Sequence, residues 1–284
     1  MNDFRPTQVV KIKEGDTEKV FPLYDLNSLR ACLLYTDDIP QEIHENLKAN
    51  SKQQLEVFKP VEQVTEEVIA VVGYGPTLKQ YWSKLKDYKK IISTSGAHKF
   101  LIDRGIIPTY HVEVDFRERK AVHTASPHPD VQYLMSKTVH PATLGNGLAG
   151  GNVKLWNLRL DGISYPEGEF VVPGYWDVGQ EAILMARLLG HVNIHLFGLD
   201  YAYEIDNEET HAGFHNGAPS KYVFANVGNK IYRTSDSSVR GVMAFEQLMK
   251  DNTDLNLTIV GEGLLSSYLN YHYLKERTHE TASI

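Results

Sequence analysis

Two small-residue loops and a few acids and histidines carry the chemistry that this sequence could perform. Residues 68 to 78 read VIAVVGYGPTL, an apolar run that empties into Gly73-Tyr74-Gly75-Pro76-Thr77, and Thr94-Ser95-Gly96 closes a second apolar run. Either loop could admit a phosphate, because glycine lets the main chain approach a ligand and a hydroxyl beside the amide-rich start of a helix favours an anion. Pro76 suits a first helical position. A plain tight turn would use the same residues. The third glycine of the G-x-G-x-x-G dinucleotide fingerprint is missing, as is the lysine and serine/threonine pair of a P-loop. The loop therefore speaks against a conventional dinucleotide site and leaves a turn and a mononucleotide phosphate site both open.

The acids follow the same logic of strand ends. In HVEVD, Glu113 and Asp115 alternate with Val112 and Val114 and so share one face. Two such carboxylates can hold Mg²⁺ or position a sugar hydroxyl; an exposed edge strand gives the same pattern. Asp200, at the end of VNIHLFGLD, can bind ribose or a metal, or cap the following turn. His211 and His215 lie in a polar, glycine-containing loop beyond it. A neutral histidine can take the proton of an acceptor hydroxyl near pH 7, and tyrosine hydroxyls can stabilise a departing phosphate. Tyr201, Tyr203 and Tyr222 are placed in sequence to serve that role, or to pack the sheet edge. His98, His111, His191 and His195 read as core or hydrogen-bonded residues, and the single cysteine, Cys32 in LRACLLY, as a buried thiol.

These residues need a scaffold that gathers strand ends. From Val68 the chain alternates strand, loop and helix: VIAVV, a helix over 78–90, KIIST, a short helix closed by Gly105, then YHVEVD. Such alternation predicts an α/β, Rossmann-like, doubly wound and mainly parallel sheet. Ligands of such sheets lie beyond the carboxyl ends of the strands, so the loops at Gly73, Thr94 and Glu113 should share one crevice. VQYLMSK, KTVHPATLGNG and KLWNLRL supply a helix and two further elements, 179–189 reads as a helix, and VNIHLFG as a buried strand. A helix over 240–250, a strand LNLTIVG and a tyrosine-rich helical segment follow. The first 65 residues read as an N-terminal extension or cap, with a hairpin around Gly15-Asp16 and a helical pattern from Ile39 to Leu55; residues 66–284 read as the nucleotide-binding catalytic domain.

At 284 residues with 42% apolar and 23% charged residues, the chain can bury a sizeable core and fits neither the disordered nor the fibrous class. The net charge of −7 weighs against nonspecific nucleic-acid binding. No apolar run has the length of a membrane span and the N-terminus lacks a signal-peptide layout, so the expected location is cytoplasmic.

Taken in order, VVGYGPTL, IISTSGAHKFLIDRGIIPTYHVEVDFRER, DVGQEAILMARLLGHVNIHLFGLDYAY and THAGF resemble the motility accessory factor family and its relatives, the 6-hydroxymethylpterin diphosphokinases and, more remotely, bacterial sialyltransferases that use a cytidine-monophosphate sugar. The resemblance implies a Rossmann-like domain in which Gly73, Gly75, Pro76 and Thr77 contact phosphate or ribose and Thr94, Ser95 and Gly96 line the same pocket. It implies a ligand loop at Asn146 in LGNGLAGG, a role for His211 after GxDxxY, and, if the kinase chemistry applies, a Mg²⁺ site at Glu113 and Asp115. VEVDFRER is closer to the accessory-factor pattern than to that of the pterin kinases.

The function expected on these grounds is transfer of a sugar from a nucleotide-activated donor, with His211, Asp200, Glu113 and His215 catalytic. The acceptor is open: protein, glycan, small molecule or modified nucleic-acid base. The alternatives are a Mg²⁺-dependent diphosphokinase and a nucleotide-binding protein without turnover.

Overall fold

The computed structural model describes residues 6, 8–14, 17–27, 39–203, 211–213 and 222–274. Cys32, the Gly15-Asp16 turn and His215 lie outside the described residues. The strands are β1 (Gln8–Glu14), β2 (Thr17–Asp25), β3 (Ile69–Val72), β4 (Ile91–Thr94), β5 (Tyr110–Glu113), β6 (Gln132–Ser136), β7 (Val153–Leu158), β8 (Val171–Val172), β9 (Asn193–Phe197), β10 (Tyr222–Val227), β11 (Lys230–Ser235) and β12 (Asn256–Val260). The helices are α1 (Gln41–Asn50), α2 (Leu78–Tyr81), α3 (Ala97–Ile102), α4 (Pro141–Gly150), α5 (Val178–Leu188), α6 (Asp236–Asp251) and α7 (Leu264–Leu269).

An eight-stranded sheet in the order β12-β9-β3-β4-β5-β6-β7-β8 forms the core, and every pair in it is parallel. Both faces are covered, so its strands are apolar on both sides. Ile69 and Val71 pack with Ile183, Met185 and Phe245 on one face, whereas Ala70 and Val72 pack with Leu78, Ala97 and Phe100 on the other. From β3 the chain adds strands in one direction as far as β8, then returns to place β9 on the other flank of β3. That reversal makes the β3/β9 junction the topological switch point, where a crevice opens above the carboxyl ends of the strands.

Some local expectations change. The 78–90 segment is α2 followed by a 3₁₀ helix over Trp82–Asp87, with Lys84 over the Tyr81 ring and Lys86 over the Trp82 ring, at 5.0 and 5.4 Å from the centroids. VQYLMS is not a helix but the buried strand β6. β2 pairs in parallel with β10, so the first strand pair joins β10 and β11 in a separate four-stranded sheet, ordered β1-β2-β10-β11. Among the described residues no helix is long and apolar enough to cross a membrane.

Helix α1 buries Ile43 and Leu47 and is held by polar contacts beside them. Its inward face carries Asn46 and Asn50 one turn apart, both buried. Asn46 Nδ2 donates to the carbonyls of Phe116 and Thr138 at 2.9 and 3.0 Å, and Asn50 Nδ2 donates to those of Lys137 and Val139 at 3.0 and 2.7 Å. The helix thereby fixes the chain just beyond β5 and β6. Asn50→Ala strips two buried carbonyls of their donor and is expected to cost about 2–3 kcal/mol in urea unfolding. Lys52→Ala, on the exposed side, should change stability by less than about 0.5 kcal/mol.

Candidate functional site

At the switch point the loops after β3 and β9 lock together through the main chain. Gly73 N–H donates to Phe197 O at 2.8 Å and Gly75 N–H to Gly198 O at 2.7 Å. Neither glycine has room for a side chain: a Cβ on Gly73 would lie 2.6 Å from Gly198 O, and one on Gly75 would lie 2.7 Å from the same oxygen and against the Asp200 carboxylate. The glycines are therefore required by the approach of one loop to the other.

Asp200 ties this junction. Its carboxylate accepts from Thr77 N–H at 2.8 Å and from Thr77 Oγ1 at 2.5 Å, and its carbonyl accepts from Leu264 N–H at 2.9 Å at the start of α7. Burial pushes the Asp200 carboxyl up to about 6, against the two hydrogen bonds from Thr77, which favour the charged form. The Thr77 hydroxyl and amide, expected to meet a phosphate, are occupied by this internal carboxylate. Pro76 is buried just ahead of Thr77.

The start of α5 is closed in the same manner. Asp177 Oδ1 accepts from Gly179 and Gln180 N–H at 2.9 and 3.1 Å, and Oδ2 accepts from the Tyr201 hydroxyl at 2.6 Å. Tyr201 takes a left-handed backbone conformation, φ 53°, directly after Asp200. Four residues into the helix the buried Glu181 accepts from Tyr175 N–H at 2.5 Å through Oε1, while Oε2 has no hydrogen-bond partner among the described residues. Burial pushes the Glu181 carboxyl up to about 8. An N-cap aspartate ahead of an apolar-periodic run is the sequence signal that could have singled out Asp177.

Tyr74 joins the glycine loop to the second small-residue loop. Its ring lies on the Cα face of Gly96, edge-on to Phe100 at 6.2 Å between centroids. Ser95, between β4 and Gly96, has φ 45°, a conformation that β-carbon-bearing residues adopt at a cost. Thr94 is buried and its hydroxyl donates to Val72 O at 3.2 Å, binding β4 to β3. The 211–213 segment lies over this assembly: Ala212 N–H donates to Tyr74 O at 2.9 Å, the His211 ring stands 5.6 Å from the Tyr74 ring, and a Cβ on Gly213 would meet the Tyr74 hydroxyl at 2.5 Å. Gly73, Gly75, Thr77, Gly96, Asp200 and His211 are thus brought together, with Tyr74 at their centre.

The remaining expected residues lie elsewhere or are otherwise engaged. Glu113 is wholly buried; Oε1 accepts from Val114 and Asp115 N–H at 3.0 and 3.2 Å, and Oε2 stands 3.7 Å from His123 Nδ1. His123 was not distinguishable in the sequence from the other histidines, since nothing local marks it. Asp115 is paired with Arg117 through both carboxylate oxygens, at 2.8 and 2.5 Å. Burial raises the Asp115 carboxyl, but the hydrogen bonds and charge of Arg117 outweigh it and hold the group below the ordinary range. Both carboxylates are thus engaged within the chain, and among the described residues no three His, Cys, Asp or Glu side chains are arranged to hold a metal ion. Asn146 lies on α4, not in a loop, and donates to Ala121 O at 2.9 Å, fastening α4 to the 3₁₀ turn over 118–124. Tyr222 lies on the four-stranded sheet, stacked on Phe21 at 4.5 Å with the Arg233 guanidinium 3.7 Å from its centroid.

Similarity to other proteins follows this geometry. The chain resembles the MAf glycosyltransferase from Magnetospirillum magneticum AMB-1 at TM-score 0.59 and 16% identity, over 78% of this chain and 37% of that one. It thus spans little more than a third of that structure's length, and at this identity the likeness concerns the fold. A mammalian sialyltransferase aligns over 83% of this chain and 92% of its own at TM-score 0.33 and 11% identity. No curated protein matches the chain. Residues 41–206, more than half of the chain and the whole run from α1 through Asp200, match the family described as 6-hydroxymethylpterin diphosphokinase MptE-like, and the chain belongs to that family.

Proposed function

We propose that the protein is a transferase that takes a sugar from a nucleotide-activated donor bound above the β3, β4 and β9 strand ends. The observation that carries this reading is the convergence of both glycine loops on Tyr74 with His211 packed against the same ring. In the proposed reaction the acceptor oxygen attacks the anomeric carbon, the bond from that carbon to the phosphate oxygen breaks, and the nucleotide leaves with the bonding electrons. His211 takes the acceptor proton, and the Tyr74 hydroxyl stands at the leaving-group side. Thr77 and Asp200 hold the loops in place, and Glu113 sets the turn carrying Asp115. The fold shared with the MAf glycosyltransferase supports this reading.

The family description favours a second reading, transfer of pyrophosphate from ATP to a hydroxymethyl group. A screen of nucleotides and nucleotide sugars for a raised melting temperature identifies the donor, because a ligand bound only by the folded state stabilises it. Nucleotide release from a sugar donor supports the first reading; Mg²⁺-dependent AMP formation from ATP supports the second and overturns the first. His211→Ala is expected to retain donor binding and to lose about 10²–10⁴-fold in turnover. Unchanged turnover in that variant would remove His211 from the reaction.

A further inference from the structure

Every strand of the eight-stranded sheet runs the same way, so the crevice lies at one end of the sheet and the amino-terminal ends of the strands form the other. At that far end two strips of opposite charge lie on either side of β3. Residues 61–67, VEQVTEE, lead into β3 and are pinned across the approach to β9. Val61 N–H donates to Leu188 O at 2.9 Å, Thr65 N–H to Gly190 O at 2.7 Å, and Asn193 Nδ2 to the Glu66 carbonyl and carboxylate at 3.0 and 2.8 Å. The strip is exposed through Glu62, Glu66 and Glu67 and through two valines, Val61 at 48% and Val64 at 64%.

On the other flank of β3 the charges reverse. Lys84 and Lys86 on the 3₁₀ helix and Lys89 just ahead of β4 are exposed, as are Arg104 and Ile107 ahead of β5, the isoleucine at 44%. The Arg104 guanidinium stands 5.6 Å from the Trp82 centroid, which gathers the two segments into one strip. Asp87 is the single acid within it. Among the described residues no carboxylate pairs with Lys84, Lys86 or Lys89, and no cation pairs with Glu62 or Glu67. The strips flank one strand, with β9 and β4 each about 4.8 Å from β3.

We propose that this end of the sheet is a two-fold interface with a second copy of the chain, in which residues 61–67 of each copy meet the Lys84, Lys86, Lys89, Arg104 and Ile107 strip of the other. A two-fold contact requires one surface to be its own complement, and an axis near the start of β3 lays each acidic strip on a basic one. The charge pattern selects this occupant. A nucleic acid or an anionic membrane would be drawn to the basic strip and repelled by the acidic strip beside it, whereas a second copy satisfies both. Val61, Val64 and Ile107 supply the aliphatic contact that the charges surround. Both crevices stay open in such a pair, and the pairing does not rest on the transferase reading.

Sedimentation equilibrium of the intact chain tests it. The mass should be that of two copies in about 0.1 M salt, where charges are screened over about 10 Å, and fall toward one copy in about 1 M, where screening acts within about 3 Å. Glu62→Lys with Glu67→Lys leaves two basic strips on one chain, and Lys86→Glu with Lys89→Glu leaves two acidic ones. Each double variant alone should associate at least about tenfold more weakly than the wild type. An equal mixture of the two should recover the wild-type affinity, because every contact in the mixed pair joins opposite charges. A wild-type chain that stays single at about 100 μM in low salt overturns the proposal, and that measurement stands even if a variant folds poorly. So does association untouched by either reversal, or a mixture no tighter than its components. Species larger than two copies also overturn it, since a two-fold contact closes on itself.

Discussion

Gly198→Ala is expected to lose about 3–4 kcal/mol of stability, the sum of a left-handed backbone cost near 1 kcal/mol and a clash that cannot relax. Gly198 has φ +62°, and a Cβ on it would lie 2.6 Å from Gly73 O and 3.2 Å from Leu78 Cβ. Both obstacles belong to the core of the switch point, one of them being backbone. Gly105→Ala separates the two causes, because Gly105 has φ +70° with no atom within 4 Å of the added carbon. It should lose only the backbone part, about 1 kcal/mol. Urea unfolding of the pair measures the difference. If both variants lose the same amount, the close approach of the β3 and β9 loops is not what demands glycine. Donor binding should fall with Gly198→Ala and survive Gly105→Ala.

The second large effect is a pH dependence centred on Glu181. Burial pushes its carboxyl up to about 8 from an ordinary value of 4.5. Between these values the folded chain keeps a proton that the unfolded chain has released. The stability is fully present below the unfolded value and falls by about 1.4 kcal/mol per pH unit as pH rises, until the folded group ionises. Asp200 acts in the same sense, but with its carboxyl raised to about 6 its fall is nearly over by about pH 7. From pH 6.5 to 8 the wild-type protein should therefore lose about 2 kcal/mol through Glu181. Glu181→Gln keeps an oxygen for Tyr175 N–H and carries no charge, so its unfolding free energy should be flatter over that interval by this amount. Parallel pH profiles for the two proteins would sink the assignment.

The parallel sheet is legible in the sequence because its strands are buried on both faces, and IAVV, IIST and NIHLF stand out as largely apolar runs that end at or near a glycine. Strand order is not, since which flank of β3 receives β9 depends on packing that no local pattern encodes. VQYLMS illustrates the limit: a short apolar run suits a buried strand as well as a helix. Helix α1 illustrates another, because its helical pattern shows in the sequence through residues such as Ile43 and Leu47, whereas the buried anchoring role of Asn46 and Asn50 does not. Gly73 and Gly75 were conspicuous, yet what they approach, the β9 loop, lies over a hundred residues away. Tyr74 and Glu181 stayed hidden for the same reason: a tyrosine between two glycines and a glutamate in a first helical turn are ordinary until their surroundings are known. Asn146 and Tyr222 show the converse, since their neighbours in sequence suggested a ligand and their neighbours in space are other parts of the chain.

The pairing of Leu23 with Phe224 has a consequence for the order of assembly. About two hundred residues separate the partners, so closing that loop carries a large entropic cost that only a preformed scaffold can lower. β3 to β7, by contrast, pair each with the next along the chain. During synthesis β2 emerges early and must wait for β10, while the central strands find partners as they appear. The parallel core is thus the template on which the small sheet is completed, and the first strand pair spends that interval without its final neighbour.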